Sequence, residues 1–188
     1  MVSLWIEGMT LHEFIKMSRE SALPLGKRFS ILMSIAKGLD YLHSNSIVHG
    51  DLSSSNILIR NDGRVFICDF GLSRDISWHG ESSLSISKDL NPRWNAPEII
   101  LDGRCPTKES DIYAFGSLIL ETLSGKQPYV GLSSTRIIMQ MYNKILPERP
   151  ESPMVCDESW EMITQCWDGN VYNRPNVYQL IDFLSRAT

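Results

Sequence analysis

Between Lys27 and Ser44 the apolar residues Phe29, Leu32, Ile35, Ala36, Leu39 and Leu42 recur at three- and four-residue steps, which predicts a long helix with one buried stripe. A different pattern follows. Ile57-Leu58-Ile59 and Val65-Phe66-Ile67-Cys68 flank Asn61-Asp62-Gly63, the sequence of an apolar β-hairpin that turns at Asp-Gly. Upstream, Thr10-Leu11-His12-Glu13 reads as a capping box opening a short helix, because the Thr hydroxyl and the Glu carboxylate satisfy free amides at a helix start. Pro24 and Gly26 then interrupt it. Later segments predict four more helices: Glu109 to Leu123 ending at Gly125, Ser134 to Lys144 ending before Pro147, Ser159 to Trp167, and Val177 to Arg186. Ser73 to Leu90 is polar, Ser-rich and aperiodic, and reads as a long surface loop. Apart from segments before Val48 and the hairpin, no alternating run supports a second sheet, and there is no internal repeat. The predicted class is α+β, mainly α, with two small strands and many helices.

Composition narrows the picture. A chain of 188 residues, 43% hydrophobic and 21% charged, is ordinary globular material for one domain spanning 1–188. The net charge of -4, with no run of Lys or Arg longer than two, gives no reason to expect nucleic acid or an anionic membrane as partner. Cys68, Cys105, Cys156 and Cys166 are widely spaced without a Cys-x-x-Cys pair, which predicts reduced core thiols rather than a zinc site or disulfides. The N-terminus has no basic region or small-residue cleavage site, and no apolar stretch approaches the ~18 residues of a membrane span. A soluble, cytoplasmic protein is expected.

The chemistry concentrates in His49-Gly50-Asp51-Leu52-Ser53-Ser54-Ser55-Asn56, followed after the hairpin by Asp69-Phe70-Gly71. Phosphoryl transfer from ATP needs an Asp to orient the attacking hydroxyl, oxygen ligands for magnesium, and a frame that holds them in line. This order of residues resembles the catalytic loop and metal site of protein kinases. The resemblance continues through Arg93-Trp94-Asn95-Ala96-Pro97-Glu98, Ser110-Asp111-Ile112-Tyr113-Ala114-Phe115-Gly116, Cys166-Trp167 and Arg174-Pro175, while Val2 to Gly8 looks like the interlobe linker where the nucleotide base docks. It implies a protein-kinase-like C-terminal lobe with a small β-hairpin, the N-terminal lobe absent, and residues 1–188 forming a partial kinase domain. The implied cofactors are ATP and magnesium, and the implied partner is a protein substrate. By this resemblance Asp51 is the catalytic base, Asn56 and Asp69 hold magnesium and the nucleotide, and Leu58 forms the floor under the adenine or is a plain core residue. His49 and Phe70 brace the loop by packing, Glu98 pairs with Arg174, and Asp111 holds the catalytic-loop backbone from below. His12, His43 and His79 have no partner pattern and read as surface or capping residues.

Two positions depart from the family pattern. Gly50 stands where most kinases have an Arg that grips a phosphorylated activation loop, and Ser53 stands where many Ser/Thr kinases have a Lys that neutralises the transferred phosphoryl group. The Arg-Trp-x-Ala-Pro-Glu form, Cys-Trp and the triple Ser look most like the tyrosine-kinase-like group, whose members mostly phosphorylate Ser or Thr. Tyr remains the other acceptor. No two glycines are separated by one residue, so a Gly-rich phosphate loop is not encoded in these residues. The expectation is a fragment inactive alone, with an exposed apolar face around Val2, Leu4, Trp5 and Leu58. The alternative is a pseudokinase-type interaction module. A small-molecule phosphotransferase shares His-Gly-Asp but is disfavoured by Phe70-Gly71, Ala96-Pro97-Glu98 and the Asp111 helix.

Overall fold

The computed structural model describes residues 7–18, 23–75, 90–151 and 155–187. Its frame is a pair of helices, α2 (Leu25–Ser44) and α4 (Lys108–Ser124). Every apolar residue of the predicted α2 stripe is buried, as the helical period requires. α4 is buried from Ser110 to Ser124, so it has no amphipathic face and forms the centre of the lobe. It opens on a reciprocal capping box between Thr107 and Ser110, and its end at Gly125 is the one that the sequence predicts. Around this pair lie α1 (Leu11–Ser18), α3 (Pro97–Ile100), α5 (Ser134–Tyr142), α6 (Asp157–Cys166), α7 (Val177–Ala187) and a 3-10 helix (Val171–Asn173). The capping box at Thr10 forms as predicted: the Glu13 carboxylate accepts from the Thr10 amide at 2.8 Å and the Thr10 hydroxyl accepts from the Glu13 amide at 3.2 Å.

α6 packs against α4 at Gly116, where a Cβ would lie 2.6 Å from the Cβ of Cys166. Only a residue without a side chain permits that approach. The neighbouring Trp167 indole donates to the Ser117 hydroxyl at 3.2 Å, so its buried N–H is satisfied. α2 joins the other end of α4 through Arg28, whose guanidinium donates to the Thr122 carbonyl at 2.6 Å and the Leu123 carbonyl at 3.2 Å. These are last-turn carbonyls with no partner inside their own helix.

The hairpin is present as β3 (Ile57–Arg60) and β4 (Val65–Ile67), and β1 (Gly8–Thr10) adds to it antiparallel, in the order β1-β3-β4. A second sheet also exists. Ile47–Val48 (β2) pairs antiparallel with Arg74–Asp75 (β5), which corrects the reading of two strands and one sheet. Pairs of two residues leave no periodicity to read. α3 and the 3-10 helix were likewise not anticipated. Gly26 lies inside the first turn of α2 rather than breaking a helix. Residues 76–89, most of the predicted Ser73–Leu90 loop, lie outside the described residues, as do His79 and the apolar face at Val2, Leu4 and Trp5.

The predicted ion pair between Glu98 and Arg174 is bidentate, at 2.7 and 2.9 Å. The Arg174 side chain, 1% exposed, also donates to the carbonyls of Asp168 and Glu109 and lies 5.2 Å over the Tyr113 ring. It ties α3 to the start of α4 and to the 3-10 helix. Because the guanidinium has no water to turn to, Glu98→Ala strands a buried charge. The expected loss is about 3 to 5 kcal/mol of unfolding free energy by urea denaturation; an unchanged midpoint and slope would contradict the role given to this pair.

Candidate active site

The loop from His49 to Asn56 leaves β2 and enters β3, and its conformation is set from beneath by one carboxylate. Asp111, 1% exposed in the first turn of α4, accepts from the amides of His49 and Gly50 at 2.9 Å each and from the His43 ring at 2.9 Å. A carboxylate in a first turn is favoured by the unpaired amides and the helix dipole there. Holding the loop backbone is the role read for Asp111 from the sequence. His43 is the correction: it is buried against this carboxylate, neither surface nor cap. The His12 side chain is at the surface, 41% exposed, yet it has a partner: its ring lies 3.1 Å from the buried Glu121 carboxylate and links α1 to α4.

Gly50 has φ +81, and a Cβ there would sit 2.9 Å from the Leu72 carbonyl oxygen. The residue that replaces the family's Arg is therefore the one this close crossing of chain segments accommodates. His49 is fully buried. Its Nε2 donates to the Cys68 carbonyl at 3.0 Å and its Nδ1 accepts from the Asp51 amide at 3.2 Å. Phe70 lies with its ring centroid 5.2 Å from that of His49, although its outer face is exposed. Both brace the loop as expected.

Asp51 is half-buried and its two carboxylate oxygens have separate partners. The Asn56 amide donates to the Asp51 carbonyl at 2.8 Å and to one carboxylate oxygen at 3.1 Å. The Asn95 amide reaches the other at 3.4 Å while also donating to the Asn91 carbonyl at 3.2 Å. In the sequence Asn95 stands only as part of the Arg93–Glu98 motif. Its signal was a polar residue between buried Trp94 and Ala96, and a buried amide needs partners. Arg93, next to it, docks this segment by donating to the carbonyls of Pro128, Tyr129 and Leu132.

Burial pushes the Asp51 carboxyl above the usual range; the amides of Asn95 and Asn56 and the His49 ring oppose this, and the Asp69 charge adds to it. Asp69 itself is exposed in left-handed backbone, φ 63, with one carboxylate oxygen accepting from the Gly71 amide at 3.2 Å. The Asn56 amide nitrogen is engaged by Asp51, so its carbonyl oxygen is the atom left for a cation. Together with Asp69 this is an all-oxygen pair, suited to a hard cation that keeps several waters and substrate phosphates. Among the described residues no cluster of three His, Cys, Asp or Glu side chains could hold a metal, so an all-protein cage is not built here. Leu58 is half-buried between the buried Ile57 and Ile59, and by strand alternation it faces away from the core. The thiols divide: Cys166 is buried and Cys68 half-buried, but Cys105 and Cys156 are exposed, which corrects the reading of four core thiols; all four are free.

A helical lobe carrying a three-stranded sheet and an Asp-to-Asn loop pinned by a central-helix carboxylate has the architecture of a kinase catalytic lobe. The profile described as "Protein tyrosine and serine/threonine kinase" matches residues 1–184, and the chain belongs to that family. It is 30% identical to a probable serine/threonine-protein kinase of Dictyostelium discoideum over 98% of this chain and 19% of that protein. It is 32% identical to an insulin-like receptor of Caenorhabditis elegans over 87% of this chain and 9% of that protein. To fibroblast growth factor receptor 1 of Xenopus laevis it is 35% identical, over 84% of this chain and 19% of that protein. The chain thus spans less than a fifth of these curated relatives.

The raised Asp51 carboxyl has a consequence for stability. Because its folded value lies above the unfolded one, the native state binds more protons between the two, and stability falls as pH rises through that window. Asp51→Asn removes the buried charge, so its melting temperature at pH 7 is expected to exceed that of the parent chain. The gain should shrink as pH is lowered into the ordinary carboxylate range. A variant less stable at pH 7 by thermal melting would contradict this.

Proposed function

We propose that residues 1–188 are the interlobe linker and C-terminal lobe of a protein kinase that transfers the ATP γ-phosphate to Ser or Thr of a protein substrate. The observation that carries the reading is the clamped Asp51: one carboxylate oxygen on Asn56, the other on Asn95, and the loop beneath fixed by Asp111. In this role Asp51 orients the substrate hydroxyl and takes its proton as the oxygen attacks phosphorus and ADP departs. Asn56 and Asp69 hold magnesium, which when bound neutralises charge on the ATP phosphates. Leu58, on the sheet face away from the core, forms the floor for the adenine.

The preference for Ser and Thr over Tyr rests on the likeness of Arg93 to Glu98 to the tyrosine-kinase-like group; the relatives include both serine/threonine and tyrosine kinases. A cytoplasmic setting is supported by the exposed free thiols of Cys105 and Cys156, which a reducing compartment preserves. No helix among the described residues is long and apolar enough to cross a membrane. A second reading, a non-catalytic interaction module, draws on Ser53, which is buried and offers no cation to the transferred phosphoryl group. Gly50 does not add to it, because the Leu72 crossing accounts for that residue by space alone.

These residues provide a base and metal ligands but no Gly-rich loop to clamp phosphates. The 188-residue chain by itself is therefore expected to give no measurable transfer from ATP to protein hydroxyls. Transfer that Asp51→Asn abolishes would refute that requirement. Manganese, as a paramagnetic stand-in for magnesium, is expected to broaden the NMR signals of Asn56 and Asp69 first, and Asp69→Ala to remove the effect. Broadening spread over surface carboxylates and indifferent to Asp69→Ala would sink the metal assignment.

A further inference from the structure

A cavity of about 640 Å³ opens between α3, the C-terminal end of α5 and the C-terminal end of α6, and none of Asp51, Asn56 and Asp69 lines it. Its floor is apolar and aromatic: Tyr113, Tyr129, Met141 and Trp167 are all buried. Its mouth is unusual. Leu101, Leu146, Ile145 and Tyr142, lining the same cavity, are 37%, 40%, 50% and 77% exposed. Single exposed apolar residues need no explanation, but several gathered at one concavity of ligand-site volume mark an interaction surface.

Two left-handed residues shape the cavity wall. Among the described residues, four besides glycine have positive φ, and two of them, Tyr129 (φ 53) and Lys144 (φ 58), line this cavity. A third is Asp69, in the candidate active site. At Lys144 this is the common left-handed close of a helix, with the Ile145 amide reaching back to Gln140 and the Lys144 amide to Met141; at Tyr129 it persists because surrounding contacts over-determine it. Here the contacts are visible: the Tyr129 hydroxyl donates to the Ile145 carbonyl at 3.0 Å and the Ile145 amide to the Gln140 carbonyl at 2.9 Å. They fix the turn that presents Lys144, Ile145 and Leu146.

The charges at the mouth narrow the occupant. Glu98 is taken by Arg174, Asp102 lies 3.4 Å from Arg104, and the Asp168 carboxylate accepts from the Asn170 amide and the Asn173 side chain. Lys144 remains. Its ammonium has no ion-pair partner among the described residues, so the mouth offers one unanswered positive charge beside an apolar hollow. Three acidic and three basic side chains line the site, so it has no net positive field to draw an anionic membrane.

We propose that this cavity is a docking site for a peptide segment of a protein partner, which inserts bulky apolar or aromatic side chains beneath Tyr142 and Leu146 and sets an acidic side chain against Lys144. The site is independent of the phosphotransfer reading, since neither its residues nor its cavity are shared with Asp51.

The test is selection of random 12-residue peptides displayed on phage against the full chain, followed by fluorescence anisotropy of the enriched peptides. Ile145→Glu and Lys144→Glu are the variants, with Tyr142→Ala as a milder one at a side chain mostly in solvent; an unchanged circular dichroism spectrum shows each is folded. Enriched peptides are expected to pair aromatic or aliphatic residues with a neighbouring Asp or Glu. Ile145→Glu should weaken them tenfold or more, and Lys144→Glu should turn the selection toward peptides carrying Lys or Arg. No enrichment, binding indifferent to all three variants, or a dimer of the chain that Ile145→Glu dissolves would overturn the proposal.

Discussion

One buried carboxylate organises the site. Asp111 accepts from two consecutive loop amides and from the His43 ring, and without it those three donors face a core with no water. Each such orphan costs about 1 to 3 kcal/mol, so the loop conformation follows from where α4 begins. The start of α4 is itself fixed by the Thr107 and Ser110 capping box, which sets the register of the whole helix. His43 sits in the last turn of α2, so the same carboxylate registers the two central helices against one another. A local capping choice is thereby passed to Asp51, some distance along the chain, through hydrogen bonds that leave little freedom.

The rest of the lobe keeps that arrangement stiff. Gly116 lets Cys166 close against α4, Arg28 caps the other end of α4 from α2, and Arg174 anchors α3 through Glu98. α3 follows directly on the segment from which Asn95 reaches Asp51, so its anchorage also bears on the site. Against this background the Asp51 carboxylate is the costly element. Asp51 is desolvated, with amides for partners and the Asp69 charge nearby, a poor place for a charge and a suitable one for the proton-accepting role proposed for it. The departures at Gly50 and Ser53 differ in kind: the first suits the close Leu72 crossing, whereas the second, at a buried position, removes a cation.

How much of this was legible in the sequence depends on the range of the interactions. α2, the Thr10 capping box, the Asp62-Gly63 hairpin and the end of α4 at Gly125 are written in spacings of a few residues, and all of them form. β1 and the β2–β5 pair have no internal signal, because two or three residues become strands only by meeting a partner far along the chain. The same holds for single side chains. His43 reads as a surface residue until Asp111 is brought to it, and Asn95 reads as filler in a motif until it meets Asp51. The resemblance to kinases reached Glu98–Arg174 and Asp111, pairs that periodicity could not have found. It gave no hint of the cavity beside Tyr142, whose residues come from α3, α4, α5, α6, the 3-10 helix and the loops between.

The central claim, that Asp111 holds the loop from His49 to Asn56, is tested most directly by native-state hydrogen exchange on Asp111→Asn, which keeps the shape but turns one acceptor into a donor. The His49 and Gly50 amides are expected to lose about tenfold or more of their protection, roughly 1.4 kcal/mol, relative to the α2 core amides of Ile35 and Leu39. If His49 and Gly50 lose no more than Ile35 and Leu39, the loop is held by something other than this carboxylate.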